Sequence, residues 1–221
     1  MCGRFALSLP DDAMARLFEA VPANDLPPIP NFNICPSTQI HVIYHENDQR
    51  RLVPMRWGFV PHWYKSAGDG PLLINARAET IAEKPAFREA CRRRRCLIPA
   101  DGFFEWHRPE GGEKLPWYIQ PAGEGSMVFA GIWQDWEQDG VRRSSCAIVT
   151  TEATGRMAEI HHRIPVILQA GDWGKWLGEE GHGAARLMLP APDETLRFHR
   201  VGRAVNSNRA AGPALIEEID I

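Results

Sequence analysis

Cys96-Leu97-Ile98-Pro99-Ala100-Asp101-Gly102-Phe103-Phe104-Glu105-Trp106 reads as a strand, a turn and a second strand. Two short apolar runs flank Ala100-Asp101-Gly102, whose Asp-Gly pair favours a tight reversal. Period-two alternation sets Glu105 on the face of Phe103 and leaves Phe104 and Trp106 on the other, so both faces carry large apolar side chains. A carboxyl lodged among aromatics is desolvated. Its ionised form is disfavoured, and its pKa rises toward the range useful for general acid and base work. The competing reading of a mid-strand glutamate is a salt bridge or an exposed edge.

The segments on either side also read mainly as strand. Residues 40–44 and 52–59 form a hairpin around the polar turn Asn47-Asp48, and further strands are expected at 116–120, 127–133, 145–151, 166–168 and 196–201. Helices are few. One follows Pro10, with Asp11 or Asp12 as cap and Met14, Leu17, Phe18 and Val21 at helical spacing. A second ends in Arg92-Arg93-Arg94-Arg95, whose charges serve the helix end and solvent or, in part, phosphates. A third, at 171–177, buries Trp173 and Trp176. The proline-rich stretch 21–36 and residues 178–185 read as loops. Together these read as a largely meandering β arrangement in a single domain over 1–221.

Composition bounds the function. The 221 residues are 44% hydrophobic and 24% charged with eight tryptophans, as for a globular protein with a substantial core. No run approaches the roughly 20 apolar residues of a membrane span, and no secretion signal is evident, so the expected location is the cytoplasm. Five cysteines form no C-x-x-C pair; neither a disulfide framework nor a metal site is expected, and four of the five read as core residues. Adjacent His161 and His162 cannot share one face, which argues against a metal pair while leaving one of them open to catalysis. No nucleotide-binding glycine loop is present and no cofactor is expected. With a net charge of −3, any nucleic-acid binding must rest on a local basic surface.

The N-terminus, Met1-Cys2-Gly3-Arg4-Phe5, offers a specific chemistry. A small residue at position 2 favours removal of the initiator methionine, which would leave Cys2 as a 1,2-aminothiol. Its α-amine, of pKa about 7.7 to 8.0, is partly unprotonated near neutral pH and attacks aldehydes. The thiol then lies placed to close a five-membered thiazolidine. In the aromatic, Gly/Pro-punctuated stretch 56–64, Trp63 and Tyr64 read either as a stacking platform for bases or as caps on the core. Asn33 alone reads as a turn residue.

Taken together, Met-Cys-Gly-Arg-Phe at the start, Arg56-Trp57-Gly58, Asn75-Ala76-Arg77-Ala78-Glu79-Thr80, the block from Cys96 to Trp106, and Ile160-His161-His162-Arg163-Ile164-Pro165 resemble the SRAP family, the SOS response-associated peptidases, across essentially the whole chain. The resemblance implies an α+β fold, a single domain with a twisted, mainly antiparallel, barrel-like β core flanked by short helices, and capture of abasic sites in single-stranded DNA as a covalent adduct that shields the lesion, with an accessory β-elimination. It makes Cys2 the nucleophile, Asn75 the residue that orients it, Glu105 the acid/base group and His161 a helper in opening the sugar. It implies DNA contacts at Arg4, Asn33, Trp63, Tyr64, Arg77, Thr150 and Arg163, by a protein acting as a monomer. Where many relatives carry other residues, this chain has His162 and Ile164.

Two rival classes follow from the same residues. One is a cysteine peptidase with Cys2 as nucleophile, against which stands the expectation that no propeptide beyond Met1 precedes it. The other is a non-catalytic reader of modified DNA bases.

Overall fold

In the computed structural model of the protein, residues 2–66 and 68–220 are described; Met1, whose removal the sequence leads one to expect, lies outside them. The elements run β1 (Phe5–Leu7), α1 (Asp11–Leu17), β2 (Ala20–Pro22), β3 (Asn31–Ile34), β4 (Gln39–Glu46), β5 (Gln49–Trp57), β6 (Asn75–Arg77), α2 (Arg88–Arg93), β7 (Arg95–Ala100), β8 (Gly102–His107), β9 (Leu115–Pro121), β10 (Met127–Gln138), β11 (Val141–Glu152), α3 (Gly155–Ile160), β12 (Arg163–Pro165), α4 (Trp173–Leu177) and β13 (Leu196–Arg200), with short 3-10 turns between some of them.

Five strands close a ring. The β4/β5 hairpin turns on Asn47 and Asp48, both at positive φ (51° and 58°), as a two-residue hairpin requires. From β5 the order runs through β4, β7, β10 and β11 in antiparallel pairs, and β11 returns to β5 in parallel register at Ser145↔Arg56 and Cys146↔Trp57. This closed mixed barrel removes the edges an open sheet would expose. A second sheet, β13-β9-β8-β1-β3, packs on it. Phe5 meets Trp57 edge-on at 5.2 Å, and Phe103 meets Phe129 at 6.0 Å, so the two sheets share one core.

The strand–turn–strand at 96–106 therefore does more than reverse the chain. β7 belongs to the barrel and β8 to the second sheet, so Asp101 carries the chain from one to the other. Gly102 is required at the crossing, since a Cβ there would sit 2.5 Å from the Tyr118 ring and 2.6 Å from the Ile119 carbonyl.

Several expectations are corrected. Helix α1 stops at Leu17, which is exposed, and Val21 falls on strand β2; only Met14 and Phe18 face the core. Asp11 does not cap the helix but meets buried His41 at 3.0 Å. The arginine run splits: Arg95 opens β7 and donates back to the Cys91 and Arg92 carbonyls at 2.8 and 2.7 Å, closing the end of α2. The strand expected at 166–168 lies at Arg163–Pro165 instead. Of the four cysteines read as core, Cys96 and Cys146 are buried, whereas Cys35 and Cys91 are only half-buried. Among the described residues no helix is long and apolar enough to cross a membrane.

Candidate active site

Strand pairing brings the N-terminus to Glu105. β1 runs antiparallel to β8 at Phe5↔Phe103, and the Phe104 N–H donates to the Arg4 carbonyl at 2.9 Å. Continued by one pair, this register sets Glu105 across from Gly3, beside Cys2. Cys2 is fully buried, and burial pushes its thiol far above the ordinary range, with the Glu105 charge adding to the rise.

Asn75 reaches the same point from the barrel, since β6 runs parallel to β11 at Asn75↔Ile148. Its Nδ2 donates to the Cys2 carbonyl at 2.9 Å. Its Oδ1 is buried with no partner among the described residues. An unmet buried acceptor costs about 1–3 kcal/mol, which makes this amide oxygen a candidate to accept from a bound group.

Glu105 is 3% exposed, and burial lifts its carboxyl from 4.5 to about 7. Near neutral pH it can both give and take a proton, as expected of a carboxyl among aromatics. His161 follows α3 in extended conformation, with Nδ1 3.9 Å from Glu105 Oε1. That nitrogen lies 3.0 Å from the Arg163 N–H and 3.3 Å from the Arg163 carbonyl; with the shorter contact taken as the hydrogen bond, Nδ1 accepts and Nε2 carries the hydrogen. Burial first, then nearby positive charge, lowers its pKa to about 4, so the ring is neutral at pH 7. The His162 ring stacks on it at 4.4 Å.

Around this centre the other sequence-predicted residues divide. Arg77 is exposed on β6. Trp63 is 48% exposed, while Tyr64 is half-buried with its ring packed so closely on Gly70 that a Cβ there would collide with its hydroxyl. Arg4 lies over Trp106 at 5.8 Å and donates to Asn33 Oδ1 at 2.6 Å and to the Val205 carbonyl at 3.0 Å. Asn33 is a buried strand residue rather than a turn residue, and its Nδ2 donates to the Ser207 and Ala210 carbonyls at 3.2 and 2.5 Å. Arg163 is buried, bonds Glu79 at 2.9 Å through both guanidinium ends, and reaches the carbonyl of buried Thr150 at 2.7 Å. Sequence reasoning gives Glu79 no task, although Asn75, Arg77 and Glu79 recur every second residue, as along a strand. Among the described residues no group of three or more His, Cys, Asp or Glu is arranged to hold a metal ion.

A closed five-stranded barrel bearing a second sheet, with a buried cysteine at position 2 set against an amide and a carboxyl, defines a single-domain β-barrel protein whose candidate site lies where the two sheets meet. The chain belongs to the SOS response associated peptidase (SRAP) family, whose model matches residues 1–208. Among its relatives, abasic site processing protein YoqW of Bacillus subtilis (strain 168) is 35% identical, over 98% of this chain and 99% of that one. YedK of Escherichia coli (strain K12), also named an abasic site processing protein, is 32% identical over 99% and 100%. HMCES of Rattus norvegicus, named likewise, is 31% identical over all of this chain and 77% of its own. A crystal structure of a protein from Bacteroides thetaiotaomicron matches with a TM-score of 0.87 at 25% identity, over 99% and 100% of the two chains. The expected fold class and family both hold.

Proposed function

We propose that this protein processes abasic sites in DNA, capturing the deoxyribose aldehyde of a single-stranded lesion on Cys2 after loss of Met1. The observation that carries the reading is the buried Cys2, its carbonyl held by Asn75 at 2.9 Å, beside a carboxyl whose pKa is about 7. The family and its relatives named for abasic site processing point the same way.

An abasic aldehyde is mostly closed as a hemiacetal. Glu105, as carboxylate, takes the proton of the C1′ hydroxyl and delivers it to the ring oxygen, which leaves C1′ as the 4′-hydroxyl, while His161 hydrogen-bonds that oxygen through Nε2–H, and the sugar opens. The Cys2 amine adds to C1′ to give a carbinolamine. Glu105 takes the remaining proton of the attacking nitrogen and returns it to the carbinolamine hydroxyl, which leaves as water, forming the imine. Sulfur then adds to the C=N carbon and its proton passes to nitrogen, closing the thiazolidine with net loss of one water. Asn75 holds the residue in place and offers Oδ1 to a sugar hydroxyl. The imine intermediate also permits β-elimination at the same carbon chain.

Arg4, Arg77 and the exposed Trp63 supply phosphate and stacking contacts, which do not read sequence. Asn33, Thr150, Tyr64 and Arg163 back that surface, each through the internal contacts described above. The protein acts as a monomer in the cytoplasm, with DNA as its partner and no cofactor. The peptidase reading is disfavoured, because a peptidase cysteine works as a thiolate in an electropositive setting, whereas burial and Glu105 both hold the Cys2 thiol protonated.

The test is intact mass after incubation with single-stranded DNA carrying one abasic site. The expected product is protein without Met1 plus DNA minus one water. Unmodified protein, or a fully active protein that retains Met1, would refute the mechanism.

A further inference from the structure

Beyond Glu105 the second sheet continues as a row of side chains on one face. β8 pairs with β9 at Glu105↔Trp117, and β9 pairs with β13 at Trp117↔Arg200. Directly opposed residues in antiparallel strands project to the same side, so Glu105, Trp117 and Arg200 stand in line. At roughly 4.8 Å per strand, Arg200 lies on the order of 10 Å from the carboxyl.

A second arginine joins the row from above. Arg156, in the first turn of α3 and five residues before His161, places its guanidinium 5.8 Å from the centre of the Trp117 ring and 5.2 Å from that of Phe198. The Arg200 guanidinium lies 5.8 Å from the same Trp117 ring. Neither arginine is ion-paired among the described residues: Arg200 spends only Nε, on the Pro116 carbonyl at 3.3 Å, and the Asp193 carboxylate near Arg156 accepts its backbone N–H at 2.6 Å. Stacked guanidiniums keep their edge N–H groups available, and edge donors in a planar fork match phosphate oxygens. The Trp117 ring thus holds two like charges together with their donors unspent.

We infer that the Arg156–Trp117–Arg200 edge continues the DNA surface past the lesion and takes phosphates of nucleotides flanking the one at Cys2. The inference rests on the abasic-site reading above and adds to it which edge of the site the flanking strand follows. The row leads away from Cys2 on the β9/β13 side, whereas Arg77 lies on β6 at the barrel. A strand crossing the site thereby meets cations before and after the lesion.

The experiment compares the parent with Arg156→Gln, Arg200→Gln, the double variant and, as a charge-matched control, Arg16→Gln on α1. Anisotropy of a labelled undamaged single strand is titrated over a salt series, and the initial crosslinking rate is followed on the same strand with one abasic site. Removing one arginine–phosphate pair should flatten the slope of log K against log salt by about 0.7, so the double variant should flatten it by about 1.4 and bind at least tenfold more weakly at low salt. Arg16→Gln should leave the slope alone. Trimming the strand on one side of the lesion should slow the parent and leave the double variant little changed. If the parent crosslinks but both single variants and the double keep its slope and its dependence on strand length, the inference is overturned and the function stands. If the parent forms no adduct with any abasic strand, the function falls and takes the inference with it.

Discussion

Arg163 donates to Glu79 from both guanidinium ends, at 2.9 Å each, and turns its own backbone N–H toward His161 Nδ1 at 3.0 Å. Glu79 also accepts the Glu152 N–H at 3.1 Å. One carboxylate thus ties the segment after β6 to β11 and β12 and, through Arg163, fixes how the histidine is presented to Glu105.

Glu79→Gln should accordingly loosen both the fold and the site. The arginine beside it holds the Glu79 carboxyl at about 2, against an ordinary 4.5. Its stabilisation is fully present above about 4.5 and is lost as pH falls through about 2. Because the Glu79 side chain is nearly half exposed, solvent screening limits the loss on substitution to about 1 kcal/mol. Thermal unfolding at pH 7 measures it. A melting temperature equal to the parent's would show that the pair contributes nothing.

Glu105 should make stability fall as pH rises. The native carboxyl keeps its proton up to about 7, whereas the unfolded chain releases it near 4.5, so the folded state binds more protons between those values. Raising the carboxyl this far corresponds to about 3 kcal/mol lost across that window. His161 titrates there with the opposite sign, its native pKa of about 4 lying below the ordinary 6.5. The informative quantity is therefore the difference between the parent and Glu105→Gln in denaturant unfolding at pH 5 and pH 8. The variant should gain on the parent as pH rises; parallel curves would mean that Glu105 is not desolvated.

Much of this was legible in the sequence because it rests on local patterns. The Asn47-Asp48 hairpin, the strands around Asp101-Gly102 and the buried Trp173 and Trp176 all follow from turn chemistry and alternation. Glu105 was legible because its aromatic neighbours are its chain neighbours. The parallel closure of β11 on β5, and the passage of Asp101 between two sheets, depend on residues far apart in the chain, and alternation says nothing about which strands meet. The same limit hid Arg163 and Asn33, whose partners Glu79 and Ala210 lie 84 and 177 residues away. It also hid Trp117, which meets Glu105 only through strand register. Helix α1 was read too long because Val21 sits at helical spacing yet pairs with Arg51 on β5.

Salt should separate the exposed cation from the committed one. Arg77 is exposed, while Arg163 is buried on Glu79 and Thr150. Arg77→Gln should flatten the salt dependence of single-strand binding by about 0.7 in log–log slope. Arg163→Gln should cost stability and leave the slope nearly as it was. Covalent yield after long incubation should not depend on salt for the parent, although its initial rate should fall. A larger change in slope for Arg163→Gln than for Arg77→Gln would mean that DNA draws Arg163 away from Glu79.

The residues proposed for catalysis should differ in the kind of defect they cause. Cys2→Ala keeps an α-amine that still makes an imine, so it should lose the stable adduct yet retain a species trapped by borohydride, or strand cleavage. Glu105→Gln keeps shape and hydrogen bonding but cannot exchange a proton, so adduct formation and elimination should both slow by roughly 10² to 10⁴. With a pKa near 7, Glu105 should also shape the pH–rate curve of the parent, and that inflection should vanish in the glutamine variant. His161 stays neutral down to about pH 4, so no inflection near 6.5 should be assignable to it. His161→Ala should slow capture of the closed sugar more than capture of an aldehyde supplied open, because its Nε2–H serves the ring oxygen. The measurement is a rate series on abasic DNA with all three variants, with binding to undamaged strands determined separately. Should Glu105→Gln crosslink at the parent rate, the carboxyl is a structural residue beside Phe103, and the proton transfers must be reassigned to solvent.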